Sequence, residues 1–293
     1  MIITIKVPSL HASIDTLGAQ LISLKDKQEK EYIWQRNPEI WTRCSPILFP
    51  IVGNCRNNRT IFHGKHYSIP KHGFCKDMNF SVSDQTESSV TFCLSYNEET
   101  LSCYPYKFRL SITYTISEGI LSILYQTENL QDKPMPFCLG AHPGFCCPVN
   151  NEECFEDYQL VFDQEEYTNS MVYDLSSLEF DPDKKGIFLK NTQILPLSYD
   201  LFQNDAIFFE RIRSRKVSLI HKTTKRGVMV NYPDFESIAF WTSVHPKAPF
   251  LCIEPWNGSA IRKDEDDEFL NKHGIQILNS HQTAEYLLQI QIV

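Results

Sequence analysis

Alternation with a period of two is the feature that most narrows what this chain can fold into. Short runs in which apolar and polar residues take turns recur along all 293 residues. Ile2 to Val7, Val90 to Tyr96, Tyr106 to Ile116, Ile120 to Asn129, Val228 to Tyr232 and Ala284 to Ile292 each send alternate side chains to opposite faces, as half-buried strands do. Ser117-Glu118-Gly119 reads as a tight turn joining two of these runs, and Gly64-Lys65 as another. No long stretch repeats every 3.6 residues, and only Asp264 to Lys272 is expected to form a short helix. Residues 165 to 200 are polar and read as an irregular excursion with little regular sheet. Many short strands without alternating helices must bury their apolar faces against each other. With no linker or repeat to divide it, the expectation is an all-β, single-domain sandwich of antiparallel sheets over residues 1–293.

Composition enters where it excludes functions. A formal net charge of -8 opposes nucleic-acid binding, which needs a basic face to displace counterions. No run approaches the ~20 apolar residues of a membrane span. The opening MIITIKVPSLHASID has neither a basic leader nor an apolar core, so no signal peptide is expected and the protein is expected to be cytoplasmic. Ten cysteines include no C-x-x-C pair, which argues against a structural zinc site, and reduced thiols are expected. The adjacent Cys146 and Cys147 receive no function. G-x-x-x-x-G-K-[ST], strand–G-x-G-x-x-G–helix, G-x-S-x-G and helical His-x-x-x-His are all missing, so nucleotide, serine-nucleophile and zinc-hydrolase chemistry have no local signal.

What remains is a handful of polar residues in apolar or turn-forming settings. Phe250, Cys252 and Glu254 share one face of a strand, which is expected to end at Pro255 because proline cannot donate to a ladder. A carboxylate at the end of an apolar strand is costly unless paired, hydrogen-bonded or used. By itself, Glu254 reads equally well as a functional acid or as an acceptor that ties down the following turn. His72 precedes a glycine turn and His142 stands among small residues, settings that let a ligand approach the backbone; structural and functional readings stay level. Asp205, opening the run Ala206 to Glu210, reads first as an ordinary turn acid.

Three of these segments, taken in order, resemble the aldose 1-epimerase (galactose mutarotase) family. They are His72-Gly73-Phe74, His142-Pro143 and Glu254-Pro255-Trp256-x-Gly258, with agreement in spacing from Leu17-Gly18-Ala19 to Lys272-x-Gly274. The branch with an H-G-F-A-R-D motif is the most similar. The resemblance implies a β-supersandwich with a sugar-binding groove, an activity that interconverts α and β anomers of a hexose, and no metal or organic cofactor. It implies Glu254 as general base, His142 as general acid, and His72 and Asp205 as groups that hold the sugar. Trp256, Trp241 and Phe74 are candidates to stack on a pyranose, with plain core packing ranked ahead for any one of them.

Two departures bear on the ligand. Cys75-Lys76-Asp77 follows the H-G-F, and Asn54 stands where the family often has an arginine after the residue matching Gly53. Lysine is a point charge where arginine is a planar fork. Some relatives bind hexose 6-phosphates through arginines in this region, so Arg56, Arg59 and Lys76 are candidates for an anionic sugar, with a plain solvated basic turn ranked ahead. The competing functions are a hexose-6-phosphate 1-epimerase, a carbohydrate-binding or sensing protein without turnover, and another carbohydrate enzyme. A glycoside hydrolase would need two carboxylates, of which only Glu254 stands out.

Overall fold

The computed structural model describes residues 1–293. Fifteen strands join into one antiparallel sheet. Its path starts at the edge with Ile47–Leu48 and passes through Leu139–Ala141, Phe250–Asn257, Ser237–Trp241, Ile207–Phe209 and Tyr158–Asp174. It continues through Lys216–His221, Gly227–Asn231, Thr283–Ile292, Ile120–Asn129, Phe108–Ser117 and Ser89–Ser95 to Ser81–Gln85. A sheet of this width twists, and here it folds back on itself into a sandwich. Phe49, beside the first edge strand, packs on Phe108, in the third strand from the other edge, at a ring separation of 5.0 Å. One apolar cluster of 70 buried residues fills the space between. A three-stranded sheet over Ile2–Val7, Leu10–Asp15 and Gln20–Asp26, a hairpin of Arg59–Phe62 with Lys65–Ser68, and a long-range pair of Met135–Phe137 with Gln276–Leu278 complete the architecture.

The period-two reading is reproduced in the best-ordered pair. Phe108–Ser117 and Ile120–Asn129 alternate buried and partly exposed side chains over ten residues each. Glu118 and Gly119 turn the chain between them with φ of 52° and 77°, and a two-residue turn of this hand matches strand twist. No helix is long and apolar enough to cross a membrane. All ten cysteines are free.

Four local expectations need correction. Residues 165 to 200 are regular: Tyr158–Asp174 and Glu179–Pro196 form a long hairpin, with register shifts where it leaves the core. Its polar composition reflects an arm largely exposed outside a few buried side chains such as Tyr173, Phe180 and Leu189, while backbone pairing supplies the order. The strand Phe250–Asn257 runs through Pro255 instead of stopping there. The Ile253 N–H donates to Pro143 O, so Pro255, two residues on, turns its missing donor toward the same kinked segment, where no ladder bond is lost. Asp264 to Lys272 yields only a 3-10 turn at Phe269–Asn271. Glu265 accepts the backbone N–H groups of Arg262 and His273, and Asp266 accepts that of Glu268; these bonds compete with a helix. The one α-helix, Glu98–Cys103, lies where none was expected; Asn97 and Thr100 cap it reciprocally.

Candidate active site

Register explains how two distant segments meet. Gly140 pairs with Trp256 and Gly144 with Cys252, so one register runs through Leu139–Ala141 and Gly144–Cys146 along the same partner strand. Carried across the kink, that register sets His142 opposite Glu254, and opposite residues on one face of an antiparallel pair touch. The His142 Nε2 and Glu254 Oε2 atoms are 3.1 Å apart. Glu254 is 1% exposed and His142 8%. Buried side-chain polar atoms without a hydrogen-bond partner number seven in the chain, and three belong here: Nδ1 of His142, Oε1 of Glu254 and Nε1 of Trp256. Native folds leave few such groups unsatisfied without a reason, and their convergence marks a place built for a polar ligand.

These groups line a cavity of about 400 Å³, within the usual size range of small-molecule sites. His72 enters from a turn beside the edge strand. Its N–H donates to Gly53 O at 2.6 Å, and its Nδ1 accepts the Gly53 N–H at 3.1 Å. The accepting Nδ1 fixes the tautomer, leaving Nε2–H as the donor this ring can offer. Gly73 makes the turn possible: φ is +72°, and a Cβ there would sit 2.0 Å from Phe49 O. The His72 ring meets that of His142 edge-on at 5.6 Å. Asp205, at φ 71°, sits just before the strand Ile207–Phe209 and reaches the cavity from two strands beyond Glu254.

Aromatic walls enclose the rest. Trp41 lies 5.1 Å from the His142 ring and 5.4 Å from Trp241, and Trp256 lies 5.1 Å from Phe208. Trp241 and Trp256 therefore stand at the cavity. Phe74 does not; it packs into the core against Phe49, Tyr104 and Phe108. Trp41 was missed because it sits in an irregular segment with no periodic context. Tyr173 and Phe180, from the tip of the long hairpin, form the remaining wall. Lys263 holds that tip through Asp174 at 2.7 Å and Asp181 at 2.9 Å.

The cations are arranged differently from the sequence expectation. Lys76 does line the cavity, but its ammonium is bound by Gly73 O and by Asp77 at 3.1 Å. Arg56 and Arg59 do not line it. Arg56 is taken by Glu179 at 2.7 Å and Asp267 at 2.5 Å, and so ties the hairpin tip to the 265–267 loop; Arg59 is exposed on a separate hairpin. Arg43 and Lys71 are present in their place. Arg43 clamps Lys76 O and the Asp77 carboxylate, while the Lys71 ammonium stands 6.0 Å from the centre of the Tyr173 ring. Asn54 is also committed: its amide donates to Leu178 O at 2.9 Å and accepts from the Tyr173 hydroxyl at 3.2 Å. No sequence signal separated these roles, because each depends on where the hairpin tip comes to rest.

The electrostatics push the central pair apart. Burial raises the proton affinity of Glu254 well above that of a free carboxylate, the charge of Asp205 adds to it, and Lys71 opposes. Burial lowers that of His142, to about 3, and keeps His72 neutral as well. The pair consequently holds one proton between its two members over a wide pH range. That is the inventory a paired acid and base require. Before a sugar binds, these shifts place the proton on Glu254, so a reaction that uses His142 as donor and Glu254 as acceptor first needs it to cross the 3.1 Å contact.

The sequence profile described as Aldose 1-epimerase matches residues 1–274. Protein LacX of Lactococcus lactis subsp. lactis is 36% identical over 271 residues, which cover 90% of either chain. Among solved structures, the galactose mutarotase related enzyme of Lactobacillus acidophilus superposes with a TM-score of 0.93 at 32% identity, over 100% of this chain and 97% of that one. A galactose mutarotase-like protein of Lactobacillus casei gives a TM-score of 0.89 at 29% identity, over 100% of both chains.

Proposed function

The chain belongs to the aldose 1-epimerase family, and on that premise we propose that it interconverts the α and β anomers of a hexose with Glu254 as general base and His142 as general acid. The supporting observation is the 3.1 Å contact between His142 Nε2 and Glu254 Oε2 at the cavity wall. The two oxygens of a cyclic hemiacetal share one carbon, so an acid and a base that serve them must be neighbours. Glu254 takes the proton of the anomeric hydroxyl while His142 gives one to the ring oxygen. The C1–O bond of the ring breaks, the aldehyde carbon turns about its bond to C2, and closure on the other face reverses both transfers. His142 then recovers its proton from the ring hydroxyl, and Glu254 returns its own to the new anomeric oxygen. The pair ends each cycle with the single proton it began with.

Only protons move and no oxidation state changes, so the reaction calls for no redox or organic cofactor. Each transfer contributes typically ~10²–10⁴-fold when its group sits near the working pH. Asp205 and the Nε2–H of His72 are suited to hold sugar hydroxyls, and Trp41, Trp241 and Trp256 offer faces for the apolar side of a pyranose. A second reading concerns the sugar and not the reaction. Arg43, Lys71 and Lys76 at the cavity favour a hexose that carries an anionic group, such as a 6-phosphate. The test is anomer exchange, by polarimetry on freshly dissolved α-glucose and α-galactose and by NMR exchange on their 6-phosphates. Acceleration of any one supports the reading, and the ranking chooses the sugar. Sugar binding with no acceleration on the whole panel would overturn it in favour of a binding or sensing protein.

A further inference from the structure

A third donor stands beside the acid–base pair, and the epimerase chemistry leaves it unused. Cys252 precedes Glu254 by two residues on one strand, so its thiol shares the Glu254 face. It pairs with Gly144, where even an added Cβ would lie 3.4 Å from the sulfur, so no side chain of that strand covers the thiol, while Trp241 stands opposite it on the other neighbouring strand. The Cys252 Sγ, a ring nitrogen of His142 and a carboxylate oxygen of Glu254 all lie within 4.8 Å of one another. All three residues are buried, and both His142 and Glu254 keep a buried polar atom without a partner. No spacing motif announces this set, because its members come from two strands and meet only through their register.

We propose that His142, Cys252 and Glu254 bind a thiophilic divalent cation of the zinc class, and that its binding stops the epimerase by occupying both groups that transfer protons. This rests on the reading of His142 and Glu254 as acid and base. Imidazole, thiolate and carboxylate are zinc donors, with metal–ligand distances of ~2.0–2.3 Å. Donors around a tetrahedral ion at those lengths lie ~3.2–3.8 Å apart, so the His142–Glu254 contact of 3.1 Å is already close to a chelating separation. His142 and Glu254 line the cavity and Cys252 does not, so a water or a sugar hydroxyl would reach the ion from the His142 and Glu254 side. Charge favours the same class. A thiolate at Cys252 and a carboxylate at Glu254 match the two charges of the ion, with neutral His142 as the third donor. The filled site carries no net charge, which limits the penalty of burying an ion. Magnesium and calcium, which prefer all-oxygen cages, have poor ligands here.

Cadmium serves as the probe, since a cadmium–thiolate bond adds a charge-transfer band in the ultraviolet that can be followed without sugar. The purified chain, freed of metal by a chelator, is titrated with Cd²⁺ and back-titrated with Zn²⁺, and anomer exchange is measured against Zn²⁺ and Mg²⁺. The expected result is one equivalent of band that Cys252→Ala and Glu254→Gln both lose. Zinc, but not magnesium, should slow turnover of the wild type, and Cys252→Ala should need at least tenfold more zinc for half-inhibition relative to its own zinc-free rate. Cys252→Ser serves if the alanine variant folds poorly. The other nine cysteines are common to all variants, so the difference spectrum isolates this one. A band and zinc sensitivity that survive in the Cys252 variants overturn the proposal, as does zinc-resistant wild-type turnover. A cadmium band lost with Cys252 in a protein that epimerises no sugar would instead overturn the catalytic reading and leave the metal site standing.

Discussion

Glu254→Gln separates the chemistry of this site from its architecture. The amide matches the carboxylate in shape and keeps a polar group within the 3.1 Å contact with His142 Nε2. What it loses is the ability to take a proton. A general base contributes ~10²–10⁴-fold. At ~1.36 kcal/mol per tenfold that is ~2.7–5.5 kcal/mol of barrier. Glu254 is 1% exposed, so bulk water has little access to replace it, and the loss should fall in the upper half of that range. Stability should move in the opposite direction. In the unfolded chain the carboxyl ionises near 4.5; in the fold, burial raises that value well above. Between the two, the folded state holds the proton that the unfolded state has released, so stability falls as pH rises through that window. Each tenfold displacement of proton affinity is worth ~1.4 kcal/mol, and glutamine removes this loss because it does not ionise. Anomer exchange should therefore drop by about 10³-fold or more, while denaturant unfolding at mildly alkaline pH shows equal or greater stability than wild type. Turnover within about tenfold of wild type would refute Glu254 as the base. Inactivity with a collapsed fold would show that the carboxylate is structural.

The same pair sets the pH profile: kcat/KM should be bell-shaped, its acid limb falling where the depressed His142, near 3, takes up the second proton and its alkaline limb where the elevated Glu254 gives up the last. A flat profile through acid and alkali would disconnect the pair from the chemistry. Asp205→Asn removes a negative charge that raises Glu254, so the alkaline limb should move to lower pH while KM rises ~10-fold or more through the lost sugar contact; an unmoved limb would contradict the electrostatic argument. Gly73→Ala places a Cβ 2.0 Å from Phe49 O at a positive φ, and unfolding experiments should register a loss of ~2–3 kcal/mol together with weakened activity as His72 shifts. Arg56→Ala should lower stability by about 1 kcal/mol through its ties to Glu179 and Asp267 but leave KM within about threefold; a large rise in KM at unchanged stability would restore Arg56 as a sugar ligand.

Periodicity carried the fold class because strand alternation is a local property: each buried position in Phe108–Ser117 can be read from its neighbours. The arm beyond residue 165 escaped that reading, since its buried positions at Glu166, Ser170 and Tyr173 do not recur every second residue and register shifts interrupt it, so only cross-strand bonding reveals it. Glu254, His142 and His72 stood out by their unusual settings, an acid in an apolar strand and two histidines among small residues. Sequence alone also set the turn at Gly73 and the shared face of Cys252 and Glu254, because both follow from backbone geometry within a few residues. The register that sets His142 opposite Glu254, the capture of Arg56 by Glu179 and the arrival of Arg43 and Lys71 at the cavity were decided by tertiary structure. Those contacts join residues scores of positions apart, and their geometry is fixed by how the sheet closes over its core, which no local pattern encodes.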